Sequence, residues 1–328
     1  MVSAFVGRFI LIALSIVAWG TAAIGLAAQG GRFNAFLDLL THLAPLYIGV
    51  GAFWLCLAAL LRRPVWMLAL PGLVSVAAGL LLMAPDMIAG RGPAAAARAP
   101  TLKIIQFNVW GGNPNVDRVS AWLLAQNADI IVLEESGAIG TYLVKGGYRR
   151  SCEWCATNIF SKTEAVESNG PEEWFDRRPE VSSATFRDSF GPFTVLGVHL
   201  PWPNKFVREK DKYAALKAMA GQRPSDRLII VGDFNSTPWS FQRQREDADL
   251  GVLRRTRNLF SWPAEKVSHN KLPALFPVLP IDHVYAGRGW ATVSVRRGPR
   301  LGSDHYPIVA VLAPAAGLAP PNGAPRSR

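Results

Sequence analysis

Eight polar side chains stand at or close to the ends of short apolar runs in the second part of this sequence. They are Asn108, Glu135, His199, Asp233, Asn235, Asp282, Asp304 and His305. The apolar runs indicate buried strands, and strand ends in α/β folds converge on one face, where loops build sites. Carboxylates, amides and imidazoles bind hard divalent cations and transfer protons. The sequence therefore predicts a site for metal-assisted acid–base chemistry.

The elements that must position these side chains follow from the apolar periodicity. Short apolar or alternating runs predict strands at residues 102–110, 130–133, 193–200, 228–231, 281–285, 292–296 and 308–312. Helical spacing predicts helices at residues 116–127 and 206–220, the second with Gly221 as its C′ residue. Because strands and helices mix without strict βαβ alternation, the pattern favours an α/β sandwich over a Rossmann fold or a TIM barrel.

Three motifs carry a resemblance to a known group of enzymes. FNVW opens the region at 107–110, GDFNSTP follows at 232–238, and SDHYP closes it at 303–307. In this order and spacing they resemble the endonuclease/exonuclease/phosphatase superfamily, over residues 102–312. Its members include deoxyribonuclease I, abasic-site endonucleases, neutral sphingomyelinases and inositol polyphosphate phosphatases. The resemblance implies a four-layer α/β sandwich of two mixed β-sheets flanked by helices, and phosphodiesterase chemistry.

The resemblance also implies the metal ligands. Glu135 matches the family's metal-binding glutamate, Asp304 a carboxylate beside the metal, and Asn108 the asparagine that positions metal and phosphate. Glu134 stands where the family has glutamine, and it would add negative charge near the metal. We expect Mg²⁺, with Mn²⁺ as the alternative, to neutralise the charge that develops during phosphodiester hydrolysis.

The remaining five residues match the catalytic groups of the superfamily. Asp233 matches the aspartate close to the attacking water, and Asn235 the asparagine that donates to the phosphate through Nδ2. His305 matches the catalytic histidine, Asp282 the carboxylate that orients it, and His199 a second histidine of the deoxyribonuclease-like members. The sequence leaves open whether Asp233 or His305 is the general base.

The first 100 residues have the composition of a membrane segment. Half of the whole chain is hydrophobic, yet residues 1–100 hold only six Lys/Arg and two Asp/Glu, against 29 and 22 in residues 101–328. Uncharged stretches at 9–28, 43–61 and 64–85 each reach the roughly 20 residues that span a bilayer as helix. We therefore predict three transmembrane helices, and the composition excludes a disordered, collagen-like or disulfide-rich small protein.

Positive charges predict the orientation of these helices. Arg8 precedes the first stretch, and Arg62 and Arg63 separate the second from the third, so the positive-inside rule places them in the cytoplasm. The predicted location is the cell (inner) membrane, multi-pass, with the catalytic domain on the periplasmic or extracellular side. A signal peptide cleaved near residues 25–28 is the alternative, and it leaves that domain on the same side.

The composition predicts four segments in all. They are a membrane anchor at 1–88, a linker rich in Ala, Gly and Pro at 89–100, the endonuclease/exonuclease/phosphatase domain at 101–312, and a disordered tail at 313–328. Cys152 and Cys155 form a C-x-x-C pair without evident further zinc ligands, so a disulfide is favoured over free thiols outside the cytoplasm.

Basic and aromatic residues outside the motifs allow two interpretations each. The basic residues either hold a polyanion or form an ordinary solvated face. They are Lys205, Arg208, Lys210, Lys212, Arg243, Arg245, Arg254, Arg255 and Arg257. Trp202 and Trp239 adjoin the motifs and either line the site or pack in the core. His42, His269 and His283 lack a motif context and receive no role.

Three functions compete as interpretations of the sequence, two of them enzymatic and one not. The first is a membrane-anchored, metal-dependent nuclease acting on nucleic acid, favoured by basic charge and by His199. The second is a lipid phosphodiesterase of the sphingomyelinase type, favoured by the anchor but lacking an extended apolar hairpin. The third, a catalytically dead binding module, is disfavoured because Glu135, Asp233 and His305 are all present. The expected partners are a phosphodiester substrate and the lipid bilayer, and no protein partner is predicted.

Overall fold

The computed structural model describes residues 2–61, 66–90, 92–96, 98–152, 155–169, 181–265 and 273–318. The chain forms two compact units. The first consists of Met1–Ala89 together with Ser236–Arg245, and the second of Gly90–Asn235 with Glu246–Arg328. Arg62, Arg63, His269 and the chain from residue 319 onward, which enter the predictions above, lie outside the described residues.

The first unit is helical. Its helices are α1 (Val2–Ala28), α2 (Ala35–Thr41), α3 (Ala44–Leu61) and α4 (Ala69–Ile88). Among the described residues, three helical segments are long and apolar enough to cross a bilayer: Val6–Arg32, Ala44–Leu61 and Ala69–Ile88. A Cβ on Gly51 would lie 2.6 Å from the carbonyl oxygen of Gly72, so glycine is what allows α3 and α4 to pack this closely.

The second unit holds most of the remaining elements. Its helices are α5 (Val116–Ala125), α6 (Ile139–Lys145) and α7 (Phe206–Gly221), and α8 (Phe241–Asp249) begins in the first unit and ends in the second. Its strands are β1 (Leu102–Asn108), β2 (Ile130–Glu134), β3 (Arg149–Arg150), β4 (Thr157–Ser161), β5 (Glu167–Asn169), β6 (Val181–Asp188), β7 (Gly191–His199), β8 (Leu228–Asp233), β9 (Leu253–Arg254), β10 (Asp282–Ala286), β11 (Trp290–Arg297) and β12 (Ile308–Pro314).

These strands form two six-stranded mixed sheets. One sheet has the order β11-β12-β1-β2-β4-β3 and the other β5-β6-β7-β8-β10-β9. The central pairs β1–β2 and β7–β8 are parallel, whereas the pairs that flank them are antiparallel. Each sheet thus has at its centre two strands whose carboxyl ends face the same way, which is where polar side chains converge.

Three apolar clusters hold the layers together. Residues such as Val132, Val231 and Ile308 fill the space between the two sheets. A second cluster packs α5 and α6 on the outer face of the first sheet, and a third packs α7 on the outer face of the other. The predicted four-layer sandwich of two mixed sheets flanked by helices, preceded by three apolar helices, is confirmed.

Individual elements differ from the sequence expectation in their extent. All nine predicted strands and helices of the second unit are present, but β12 continues to Pro314, and Ala315 forms a bridge to Ala95 in the predicted linker. Gly221 is the last residue of α7, and Gln222 is the C-cap residue. The unpredicted elements include α6, α8 and β6. The sequence of β6 is rich in Ser and Thr and lacks an apolar period.

The structure also shows which of the predicted basic residues are buried and how the two cysteines pair. Arg243, Arg254 and Arg255 are buried, so these three belong neither to a solvated face nor to a polyanion-binding surface. Arg255 donates through Nη2 to the carbonyl oxygens of Ala286, Gly287 and Trp290, at 2.9, 2.8 and 2.9 Å. Cys152 and Cys155 are joined by a disulfide, which confirms that prediction.

Candidate active site

The sheet register brings the predicted residues side by side. Asn108 ends β1 opposite Glu134 at the end of the parallel strand β2. His199 ends β7 opposite Asp233 at the end of β8, and Asp282, the first residue of β10, faces Asp233 from the other side. Because each side chain is fixed by a buried, paired strand, the polar groups are held in place by the cores of both sheets.

A pocket of about 170 Å³ opens at these strand ends. Its lining consists of Asn108, Trp110, Glu135, His199, Trp202, Asp233, Asn235, Gly302, Asp304 and His305. Seven of the eight predicted residues therefore line one cavity. The eighth, Asp282, is fully buried and lies behind His305.

Asp233 occupies the centre of the hydrogen-bond network. Its Oδ2 accepts from Asn108 Nδ2 at 3.0 Å and from Asn235 Nδ2 at 3.2 Å, and its Oδ1 accepts from the Asn235 backbone N–H at 2.8 Å. The Nε2 atoms of His199 and His305 each lie 3.7 Å from the same Oδ2. One buried carboxylate oxygen thus faces two amides and two imidazoles.

A second chain of contacts runs inward from His305. Its Nδ1 lies 2.9 Å from Oδ2 of Asp282, while Oδ1 of Asp282 accepts from Gln106 Nε2 at 2.8 Å. The same Nε2 donates to Glu134 Oε2 at 3.0 Å. Since both oxygens of Asp282 are engaged, the carboxylate can turn neither away from the imidazole nor toward solvent.

Burial and neighbouring charges both shift the pKa values of these groups. Burial opposes the charge of His305, but the carboxylates of Asp282, Asp233 and Asp304 outweigh it and raise the pKa of His305 to about 10. Burial raises the pKa of Asp233, with the two histidines acting against this effect. Burial, together with Asp233 and Asp282, raises the pKa of Glu134 well above its usual value. We assign the shared proton to the imidazole, because three carboxylates face it.

The other side of the pocket carries oxygen ligands. Glu135 is exposed; its Oε2 accepts from the Gly111 N–H at 3.0 Å, and its Oε1 lies 3.5 Å from Asn108 Nδ2. Asp304 accepts from Trp262 Nε1 at 3.2 Å. Carboxylate oxygens that converge on one cavity fit a hard divalent cation. Among the described residues, the ligand atoms of Asp233, Asp282 and His305 also lie within 4.8 Å of one another and could hold a metal.

Three residues of the pocket have left-handed backbone conformations. Trp110, Glu135 and Asn235 have φ values of 59°, 54° and 50°. This conformation costs a residue other than glycine about 1 kcal/mol or more, and such residues cluster at functional sites. At all three positions the chain turns sharply as it leaves a strand, which aims the side chain into the pocket.

The orientation of Asn235 differs from the expectation. Its Nδ2 donates to the carbonyl oxygen of Leu200 at 2.8 Å as well as to Asp233, and both partners can only accept. Both amide hydrogens are therefore used, and none remains for a phosphate. Its Oδ1 is buried and has no hydrogen-bond partner among the described residues, so the amide offers an oxygen ligand that fits a cation.

Two further residues of the hydrogen-bond network around the pocket, Gln106 and Ser303, were not predicted. Gln106 bridges Glu134 and Asp282, and its signal was a polar residue two positions before Asn108, on the same face of β1. Ser303 donates to the Asn108 carbonyl at 2.7 Å and accepts from the His305 N–H at 3.0 Å. Of the two tryptophans with open roles, Trp202 lines the pocket and is 39% exposed, whereas Trp239 is buried.

Two mixed sheets flanked by helices, with a carboxylate, amide and histidine pocket at the strand ends, define a phosphoesterase fold. The family model described as the endonuclease/exonuclease/phosphatase family matches residues 105–305. The chain belongs to this family, and the enzyme class it supports is a hydrolase.

The chain is similar to solved structures at low sequence identity. A humanised D. rerio TDP2 is 18% identical with a TM-score of 0.50, covering 65% of this chain and 98% of its own. A Neisseria 3′ phosphatase, NExo, bound to a product DNA hairpin, is 22% identical with a TM-score of 0.48 (64% and 98%). An endonuclease/exonuclease/phosphatase from Beutenbergia cavernae is 18% identical with a TM-score of 0.48 (70% and 74%). No curated protein matches the chain.

Proposed function

We propose that this chain is a membrane-anchored, Mg²⁺-dependent phosphodiesterase that hydrolyses nucleic-acid phosphodiester bonds outside the cytoplasm. The observation that carries this proposal is the arrangement around Asp233: one buried carboxylate between two imidazoles, with the carboxylates of Glu135 and Asp304 in the same pocket. This set supplies cation ligands and a proton acceptor and donors within one cavity of about 170 Å³.

Glu135, Asp304 and Asn108 would hold the metal ion, with Mn²⁺ as an alternative to Mg²⁺. When bound, the ion neutralises negative charge on the phosphate oxygens. The free Oδ1 of Asn235 offers a fourth oxygen, which supports the fit. The Asp233–Asp282–His305 cluster is the weaker metal site, because Asp282 and His305 already satisfy each other at 2.9 Å.

The protein's own groups divide the proton chemistry between them. His305 is held as an imidazolium by Asp282, so it acts as a hydrogen-bond donor to the phosphate and the leaving oxygen. His199 lines the same pocket as the second donor. Asp233 Oδ2 faces both histidines and is the acceptor for the proton of the attacking water. We therefore propose Asp233, and not His305, as the general base.

Nucleic acid is favoured as substrate by charge and by an aromatic wall. Residues 101–328 carry 29 Lys/Arg against 22 Asp/Glu. Lys205 and Lys210 are exposed a few residues beyond Trp202, whose ring lines the pocket and offers a face on which a base can stack.

One observation favours the second candidate, a sphingomyelinase-like lipid phosphodiesterase. Leu275 and Phe276 are 84% and 66% exposed. Arg300 holds this turn through the carbonyl oxygens of Ala274 and Leu275, and also donates to the hydroxyl of Tyr306, the neighbour of His305. An apolar turn fixed beside the site is suited to a lipid surface.

For the membrane topology we propose three spans, with the N-terminus in the cytoplasm and the enzyme domain outside. Three spans put the α1–α3 connection and everything after Ile88 on one side of the bilayer. The 2.8 Å hydrogen bond from Ser240 to Asp38, in that connection, supports this arrangement because it requires the two segments to share a side. A reporter active only outside the cytoplasm, fused after Arg328, should be active. Activity of a cytoplasm-only reporter there would exclude this topology.

The activity is tested with the full chain in nanodiscs of phosphatidylcholine and phosphatidylglycerol. Plasmid DNA, single-stranded RNA and sphingomyelin vesicles are offered in parallel, with Mg²⁺, with Mn²⁺ or with EDTA. We expect cleavage of DNA or RNA that needs the cation and is lost in His305→Ala. Cleavage of sphingomyelin alone would establish the second candidate, and no cation-dependent cleavage of any substrate would refute the proposed function.

A further inference from the structure

The segment directly after the GDFN motif belongs to the first unit. Asn235 is the last residue of the second unit before the chain crosses into Ser236–Arg245, which groups with Met1–Ala89. Helix α8 begins at Phe241, six residues after Asn235. The backbone of a pocket residue is therefore continuous with a segment that the membrane-anchor unit holds.

Asp38 binds the start of α8. This residue of α2 is 5% exposed, and its carboxylate accepts from Ser240 Oγ at 2.8 Å, from the Phe241 N–H at 2.8 Å and from the Gln242 N–H at 3.0 Å. Ser240 Oγ in turn accepts from the Arg243 N–H at 3.1 Å. The first amides of a helix lack partners within the helix, so a buried carboxylate there makes charge-assisted bonds that fix the helix start.

His42 binds the same segment nearer to Asn235. Its Nδ1 accepts from the Thr237 N–H at 3.3 Å and lies 2.8 Å from Thr237 Oγ1. Because a backbone N–H only donates, Nδ1 carries no proton and the imidazole is neutral. Burial, opposed in part by Asp38, lowers the pKa of His42 to about 4, in agreement with that state. Asp38 and His42 are four residues apart, so they project from one face of the helical turn.

We propose that Asp38 and His42 are positioning residues of the phosphoesterase site, acting through the segment 236–245. The inference rests on the proposed function. Thr237 follows Asn235 by two residues, and Asn235 has a left-handed backbone with its amide committed to Leu200 and Asp233. Fixing Thr237 and residues 240–242 restricts the path of the chain at Asn235, and thereby holds the network around Asp233 in register.

The test compares four single variants and one double variant of the full chain in nanodiscs. Asp38→Ala removes all three bonds to α8, Asp38→Asn keeps the shape but loses the charge, and Ser240→Ala removes one bond from the other side. Asn34→Ala is the matched control, because Asn34 caps α2 through the Phe36 and Leu37 amides in the same connection. The readouts are kcat and KM for the substrate that wild type cleaves, and hydrogen exchange at Phe241 and Gln242.

Asp38→Ala should lower kcat by about 10- to 100-fold, as expected for a small displacement of a positioned group, with KM changed by less than about twofold. Asp38→Asn should recover part of this loss. The Asp38→Ala/Ser240→Ala double variant should lose no more than Asp38→Ala, since both act through one contact. Hydrogen exchange at Phe241 and Gln242 should accelerate in Asp38→Ala and not in Asn34→Ala.

Wild-type kcat in Asp38→Ala, or an equal loss in Asn34→Ala, would overturn the inference. If Asp38→Ala does not fold, Asp38→Asn decides: unchanged kcat with accelerated exchange at Phe241 would likewise refute it. These results differ from failure of the proposed function, in which wild type itself cleaves no phosphodiester.

Discussion

Oδ2 of Asp282 lies 2.9 Å from Nδ1 of His305, and Asp282→Asn tests whether the charge of this carboxylate keeps the imidazole protonated. A rise in pKa from 6.5 to about 10 corresponds to about 5 kcal/mol of preference for the charged imidazole. Asp282 is the foremost of the carboxylates that produce this rise. Because the folded value lies above the unfolded one, the contribution to stability is full below pH 6.5 and is lost as the pH rises through about 10.

The geometry fixes how the substituted amide would sit. Gln106 Nε2 donates toward position 282, so the oxygen of the new asparagine would face Gln106 and its NH₂ group would face His305 Nδ1. That nitrogen must then accept, which makes the imidazole neutral. We expect the pKa of His305 to fall by about 3.5 units or more, to about 6.5 or below, so that about 3% or less is protonated at pH 8. The rate at pH 8 should therefore drop about 30-fold or more relative to that at pH 5.5.

The assay is phosphodiester cleavage between pH 5 and 10, together with NMR titration of ¹³C-labelled histidines in the metal-free protein. Wild type should lose activity on the basic side only near pH 10, whereas Asp282→Asn should lose it near or below pH 6.5. Asp249→Asn is the control, because that exposed carboxylate pairs with Lys217 at 2.7 Å, away from the pocket. A basic limb that stays near pH 10 in Asp282→Asn would refute the reasoning.

Three further outcomes are expected. Glu135→Gln should lower the rate at low Mg²⁺ and recover part of it at high Mg²⁺. His305→Ala should stay at least about 100-fold slower than wild type at every Mg²⁺ concentration. Rescue of His305→Ala alone by Mg²⁺ would reverse the roles of metal ligand and catalytic group. Arg255→Ala should destabilise the protein by about 3 kcal/mol or more, because three buried carbonyl groups lose their donor. Arg288→Ala is the control, because Arg288 is exposed in the same turn, and its thermal unfolding should change little. Equal melting of both variants would contradict this account. Cys152 and Cys155 should resist alkylation until a reductant is added, and ready labelling without one would count against a disulfide in the cell.

The pocket residues can be predicted from sequence because each follows or opens a buried strand. Asn108, His199 and Asp233 end apolar runs, and a strand end fixes the place of its side chain once the sheet order is known. The register of the strands then brings these side chains together, since His199 and Asp233 are direct partners across β7 and β8. The roles of these side chains stay predictions that the variants above test.

Other side chains could not be assigned from the sequence, because their hydrogen-bond partners are distant in the chain. Arg243 and Arg255 count as surface charge in a sequence, yet both are buried, and carbonyl groups about 30 residues away accept from Arg255. The Nδ2 group of Asn235 is committed to the Leu200 carbonyl as well as to Asp233, and no motif contains Leu200. Asp38 is one acidic residue between two apolar stretches, and its role rests on amides about 200 residues later in the chain.

The pairing of β1 with β12 has a consequence for biosynthesis. Leu102 is the register partner of Leu312, and the carbonyl group of Asn108 is bonded to Ser303. The first and last strands of the enzyme domain are thus neighbours, and the pocket needs residues from both ends of it. Contacts of such sequence separation form late. A nascent chain that has not yet released Leu312 from the ribosome has no complete pocket, so the site cannot assemble before the last strand of the domain has left the ribosome.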